Sequence, residues 1–236
     1  MSFAEAATFP VAFLTVHQTL VGQAALDDGE TVLVHGGAGA VGLAVLQCAR
    51  RQGARVIATA GTETKQDLLR TLGAEHVLDS RSLDFVPRVR ELTGGRGVDV
   101  VVNSLSGEAI AQGLDLLAPG GRFIELGKKD IFLNNPVTLR PFHRSLTFIG
   151  FNLDAVIDAP KPAARLLAAF EAEAVSGTYR PLPHTTYPAA RVDEAFHVLQ
   201  HSRHTGKVVV TFDPSTNPSP SNPHPAPSAS TATAPI

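Results

Sequence analysis

The run Thr31-Val32-Leu33-Val34-His35-Gly36-Gly37-Ala38-Gly39-Ala40-Val41-Gly42 holds the residues best placed for chemistry that needs no reactive side chain. Gly37, Gly39 and Gly42 fit G-x-G-x-x-G, set between a β-favouring stretch and the helix-forming Leu43–Arg50. In that setting the glycines serve a tight turn, close approach of backbone to a pyrophosphate, and close helix–strand packing. Unpaired N–H groups and the helix dipole then favour phosphate charge. Gly-rich spacing alone also fits an ordinary tight βα turn. The strand before it and the helix after it favour a dinucleotide.

The end of the second strand selects which dinucleotide. An NAD site places an acid on the ribose 2′-hydroxyl about here, but the segment reads Ala58-Thr59-Ala60-Gly61-Thr62-Glu63-Thr64-Lys65. Glu63 fits better in the first turn of the next helix. Thr59, Lys65 and the later Arg81 suit a 2′-phosphate, because cations make charge-assisted contacts to it. NADP(H) is the expected cofactor; solvated basic residues on a helix and a loop are the alternative.

Other chemistries find less support. The chain has nine histidines, and His197 and His201 stand four residues apart, but no third ligand or H-E-x-x-H glutamate accompanies them, so no metal is expected. No G-x-S-x-G occurs, which removes the nucleophile-elbow hydrolase reading. The single cysteine, Cys48, sits in an apolar helix, excludes an internal disulfide and points to a reducing, cytoplasmic setting. A net charge of −2 gives no electrostatic case for nucleic acid or an anionic membrane. No basic n-region precedes the apolar stretch 9–16, and no apolar run is long enough to span a bilayer.

The elements that must position these groups alternate. A helix is expected over 3–23, then strand 31–35, helix 40–52, strand 55–59, helix 63–72, strand 75–78 and helix 85–93. The β-branched run 98–102 reads as a strand buried on both faces. Helix 108–117, strands 122–126 and 145–151, helix 160–175, strand 184–187, helix 190–201 and strand 207–211 complete the series. Alternation of this kind predicts an α/β fold with a doubly wound parallel sheet of Rossmann type. The expected division is a dinucleotide-binding domain over 1–182, a strand–helix–strand segment over 183–212, and a tail over 213–236. Seven of the seventeen prolines and no Lys, Arg or Glu fall in those last 24 residues, a composition that predicts a disordered linker or tail.

Four segments occurring in order carry a family resemblance: His35–Gly42; Gly94-Gly95-Arg96-Gly97 through Asn103-Ser104-Leu105-Ser106-Gly107; Gly121–Asp130, with its Gly127-Lys128-Lys129-Asp130; and Gly206–Val210. Over 2–212 the chain resembles the enoylreductase domain of a polyketide synthase, in the zinc-free, quinone-oxidoreductase-like branch of the medium-chain dehydrogenase/reductase superfamily. The resemblance implies NADPH-dependent reduction of an α,β-unsaturated thioester carried on an acyl carrier protein, among neighbouring synthase domains and in a possible homodimer. It also implies that a leading β-rich substrate domain is absent here, with remnants of it in the strand at 184–187 and the terminal segment, so that the chain corresponds to the back two-thirds of such an enzyme.

Residue by residue, the resemblance puts Gly37, Gly39, Val41 and Gly42 on the pyrophosphate and Thr59, Lys65 and Arg81 on the 2′-phosphate. Asn103 and Leu105 line the adenosine side, Gly127 sits by the nicotinamide, and Thr15 approaches from the first helix. Lys128 is the expected acid or oxyanion stabiliser. The position where many relatives carry a second proton donor, an aspartate, reads Asn152 here. Asn152 lacks an acidic proton, so Asp154 or water is the substitute. Two other functions remain open: a stand-alone NADPH-dependent quinone or enone reductase, and a non-catalytic structural element of a megasynthase.

Overall fold

The structure is a computed structural model that describes residues 1–212; the expected tail over 213–236 lies outside the described residues. Ser2 caps the short helix α1 (Phe3–Ala6) through a capping box with Glu5. Helix α2 (Pro10–Val16) runs straight into a π-helical turn, His17–Gln23. The single helix expected over 3–23 is therefore divided. Pro10 has no N–H and its ring clashes with a preceding turn, so it can only open a helix. Thr8 fills the break, its hydroxyl donating to the Glu5 carbonyl at 2.7 Å and accepting from the Leu182 N–H at 3.0 Å.

Strand β1 (Thr31–Val34), helix α3 (Ala40–Arg51), β2 (Arg55–Ala60), α4 (Glu63–Thr71), β3 (His76–Asp79) and α5 (Phe85–Leu92) form the first half. The second half is β4 (Val98–Asn103), α6 (Glu108–Asp115), β5 (Leu117–Glu125), the short helix α7 (Lys129–Phe132), a 3₁₀ turn (Arg140–Arg144) and β6 (Thr147–Gly150). The six strands are all parallel, in the order β3-β2-β1-β4-β5-β6. Chain direction across the sheet reverses between β1 and β4, which is where ligands of open α/β sheets gather. Helices α8 (Leu153–Ile157) and α9 (Pro160–Val175) follow. The last elements are β7 (His184–Pro188), a 3₁₀ turn (Ala189–Arg191), α10 (Val192–Gln200) and β8 (Lys207–Thr211), with β7 and β8 paired in parallel as a separate small sheet.

Sequence and structure differ in places that have physical causes. Strand β5 starts at Leu117 rather than Arg122, because Pro119-Gly120 is absorbed by a register shift opposite Val98–Val100 instead of ending the element. Helices α7 and α8 and the 3₁₀ turn at Arg140–Arg144 were not expected, and the helix expected over 190–201 opens on the second 3₁₀ turn. At three to five residues they are too short for any apolar periodicity to register.

Alternation along the strands divides the core into two layers. Val32, Val34, Ala58, Val100, Val102 and Ile124 face α2, α3 and α4, while Leu33, Ile57, Val101 and Phe123 face α5 and α6. Phe13 on α2 is fully buried and stacks on Tyr179 with ring centroids 4.6 Å apart, which ties the leading helix to the segment before β7. Phe13→Ala should lower unfolding free energy by about 3–5 kcal/mol, the usual cost of emptying an aromatic core site. Urea denaturation measures it, and a loss under about 1 kcal/mol would show that this contact is not part of the cooperative core.

Candidate functional site

The chain leaves β1 through His35, whose N–H donates to the Val102 carbonyl at 3.0 Å, and turns at Gly36 with φ +65°. Gly37 donates to Thr59 O at 2.9 Å, and a Cβ on it would lie 3.0 Å from that of Ala58. A Cβ on Gly42 would lie 2.4 Å from the Gly37 carbonyl oxygen, so the first turn of α3 rests directly on the loop main chain. Gly39 is the N-cap of α3 and brings no side-chain cap. The amides of Val41 and Gly42 therefore have neither an intrahelical partner nor a capping side chain, while that of Ala40 faces Gly206, which is bridged to Gly39. Gly37 lines neither of the hollows described below, and its part is packing. Gly36, outside the expected set, is the exposed, left-handed residue at the rim.

Two hollows of about 690 and 230 Å³ share Gly36, Gly39 and Ser104, forming one crevice along the carboxyl edge of the sheet. At its wide end stand Lys65 and Arg81, with Gly61, Thr62 and Ser80 between them. The opposite wall is His201, Ser202 and Arg203, from the turn between α10 and β8. That turn is locked in place: Gly206 donates to Ala38 O at 2.8 Å, and Lys65 Nζ donates to Ser202 O at 2.7 Å. Partial burial lowers the Lys65 ammonium below its ordinary value. Arg203 is a third cation at the crevice that sequence reasoning missed; it lies far along the chain from the glycine loop, and no local pattern marks it. The narrow end of the crevice reaches Val41 and Leu126.

Thr59 is not at this surface. It is fully buried, and its hydroxyl lies 3.1 Å from His35 Nδ1. Pleating explains the correction: successive side chains of β2 alternate, and Ala60 and Gly61 take the crevice positions. Asn103 is likewise fully buried rather than lining the adenosine side, whereas Leu105 does line the crevice. The Asn103 amide donates to Leu105 O at 2.8 Å and to Glu125 Oε2 at 2.6 Å, and its oxygen accepts from Leu105 N–H at 3.2 Å. Thr15 is buried on α2 and lines neither hollow.

The strand register aligns Thr59, His35, Asn103 and Glu125 in one row across β2, β1, β4 and β5, all on the α5–α6 face. Beyond this row Gly127 donates to Glu125 Oε1 at 2.6 Å, and Lys128 Nζ donates to the Phe151 carbonyl at 2.5 Å. That contact places the ammonium one residue from Asn152, the exposed N-cap of α8, with exposed Asp154 in the first turn. Glu125 was not singled out from sequence. An acid in a strand reads as an outward-facing residue until its neighbours are known.

His35 is 3% exposed, packs edge-on against Phe85, and has no partner for Nε2 among the described residues. Burial pushes its pKa down from 6.5 to about 4. Between those values the unfolded chain binds a proton that the folded one refuses, so stability falls as pH drops through that window. Replacing His35 with Gln should flatten this part of the stability–pH curve, measured by denaturant titration from pH 7 to 4; an unchanged slope would assign the loss to other groups.

Residues 40–169 match the zinc-binding dehydrogenase family. Despite that name, no group of three or more His, Cys, Asp or Glu stands together to hold a metal among the described residues. A phenolphthiocerol/phthiocerol polyketide synthase of Mycobacterium tuberculosis is 43% identical over 208 residues, covering 88% of this chain and 10% of that protein. The chain thus spans about a tenth of the length of the synthases it matches. The nucleotide-binding subdomain of the enoylreductase domain of PpsC from M. tuberculosis superposes with a TM-score of 0.66 at 43% identity, over 73% of this chain and 97% of that one. Mycobacterial Rv1454c, solved in complex with NADPH, superposes with a TM-score of 0.78 at 28% identity, over 90% and 65% respectively. On this fold, this crevice and these likenesses, the chain belongs to the zinc-binding dehydrogenase family, among the enoylreductase domains of polyketide synthases.

Proposed function

We propose that the chain binds NADPH along the carboxyl edge of its sheet and forms the cofactor-holding part of an enoyl reductase acting on an α,β-unsaturated acyl thioester borne by an acyl carrier protein. The observation that carries this is the crevice itself. It has open main-chain amides at its middle, cations at one end and an ammonium beyond the other. A Cβ at Gly36 would stand 3.3 Å from Ser104 Oγ, across the crevice, so the glycines there leave room for a diphosphate. The residues present fit the cofactor.

Within that reading, the amides of Val41 and Gly42 and the dipole of α3 hold the diphosphate. Lys65, Arg81 and Arg203 hold the 2′-phosphate, with Lys65 sharing its ammonium between phosphate and the Ser202 carbonyl. When bound, the nicotinamide supplies a hydride to the substrate β-carbon. Lys128 donates a hydrogen bond to the thioester oxygen as negative charge builds there, work for which a fixed donor in a partly dry site is well suited. The α-carbon then takes a proton from Lys128 or from water ordered by Asn152, with Asp154 as an exposed acid beside it.

Isothermal titration should show NADPH binding at least about tenfold more tightly than NADH, the scale of one or two charge-assisted contacts. Lys65→Ala and Arg81→Ala should each erode that preference several-fold, and Gly42→Ala should remove binding. No NADPH binding by the parent chain overturns the proposal. With a carrier-linked enoyl thioester, Lys128→Met should lower turnover by about a hundredfold while NADPH affinity stays within about threefold. Rapid turnover of free quinones in place of enoyl thioesters would replace the proposed substrate.

A further inference from the structure

Glu125 has no part in the mechanism above, yet it is the most enclosed acid near the crevice, 2% exposed, with no ion-pair partner among the described residues. Removing a carboxylate from water is costly unless its oxygens are held by donors. Both are held here by neutral N–H groups, Asn103 Nδ2 on Oε2 and Gly127 N on Oε1, each at 2.6 Å. The preceding residue, Leu126, is already fixed by its N–H to Asn103 O at 2.9 Å. The carboxylate extends that control one residue further, to where the chain leaves the sheet. A Cβ on Gly127 would stand 2.6 Å from Glu125 Oε1, so the turn is shaped around the carboxylate. The Glu125 carbonyl also accepts the Phe151 N–H at 3.1 Å, and Phe151 O is the acceptor for Lys128 Nζ. One residue therefore governs both the backbone that carries Lys128 and the carbonyl that anchors its ammonium.

We infer that Glu125 is a positioning residue, whose carboxylate fixes the Gly127–Lys128 turn and with it the ammonium that meets the substrate. This rests on the functional reading for the role of Lys128, though not for the geometry. Only a group with two acceptors does this work. An amide at position 125 presents one oxygen and one NH₂, and in either orientation a donor meets a donor, at Asn103 or at Gly127. Turning the Asn103 amide over moves the mismatch onto Leu105. In Asn103→Asp/Glu125→Gln the introduced carboxylate accepts from the introduced amide and from Leu105 N–H, and the Gly127 bond returns. The Leu105 carbonyl loses its donor and faces a carboxylate oxygen instead, so the repair at Gly127 carries a local cost at Leu105.

The test uses the chain in its present form, with amide exchange of Gly127 and the rate of Lys128 acetylation by acetic anhydride as readouts. In Glu125→Gln, Gly127 exchange should rise about tenfold or more while Leu126 stays protected, and Lys128 labelling should change at least about threefold, as expected for loss of one charge-assisted bond. The double variant should recover part of both effects, Gly127 protection most of all. Parent-like rates in Glu125→Gln, or a double variant no better than the single, overturn the inference. If Glu125→Gln does not fold, Gly127→Ala displaces the same carboxylate and should change Lys128 labelling by at least about threefold; unchanged labelling there overturns it equally. NADPH titration of the parent judges the functional reading separately, since neither readout involves cofactor.

Discussion

The carboxyl edge of this sheet depends on main chain touching main chain. Helix α3 begins so close to the loop before it that a methyl on Gly42 would collide with the Gly37 carbonyl. Because no side chain separates helix from loop, the free amides of the first turn stand at the floor of the crevice instead of behind a layer of packing. Gly37 makes the matching approach on the other side, against Ala58 and Leu69. Two close contacts with different neighbours thus set the height and direction of the helix start, and every proposed ligand contact is measured from there.

Next to that surface lies a row of buried polar side chains. Thr59, His35, Asn103 and Glu125 share one register row and are all buried; of the four only His35 also borders the crevice, at its narrow end. Pairing within the row is local: the Thr59 hydroxyl with His35, the Asn103 amide with Glu125. The row lets four strand ends finish in polar residues that pair with one another at the rim of the α5–α6 layer.

Much of this was legible in the residues. Strand β4, buried along its whole length, has bounds within a residue of those expected because burial leaves a strong pattern, and α9 matches too, opened by Pro160 although Leu166 is its one buried residue. The glycine loop was legible because its spacing is a direct image of the turn. Side-chain direction was not. Thr59 and Asn103 were assigned to the ligand because they end the right strands, and a shift of one residue along a pleat sends each to the opposite face. Arg203 and Glu125 were missed for another reason: each matters only through partners distant in sequence, and neither sits in a local motif. The break at Pro10 was written in the sequence, but alanine-rich spacing on both sides obscured it.

The hydrogen bond from Gly206 to Ala38 joins one of the last described strands to one of the first loops. During synthesis the glycine loop emerges from the ribosome long before the segment that closes over it. The first half of the sheet can assemble early, but the far wall of the crevice waits until nearly all of the described chain has been made. A nascent chain stalled before that point would carry an open, one-sided groove, so the nucleotide could act as a late fastener of the completed fold and not as a template for its early steps.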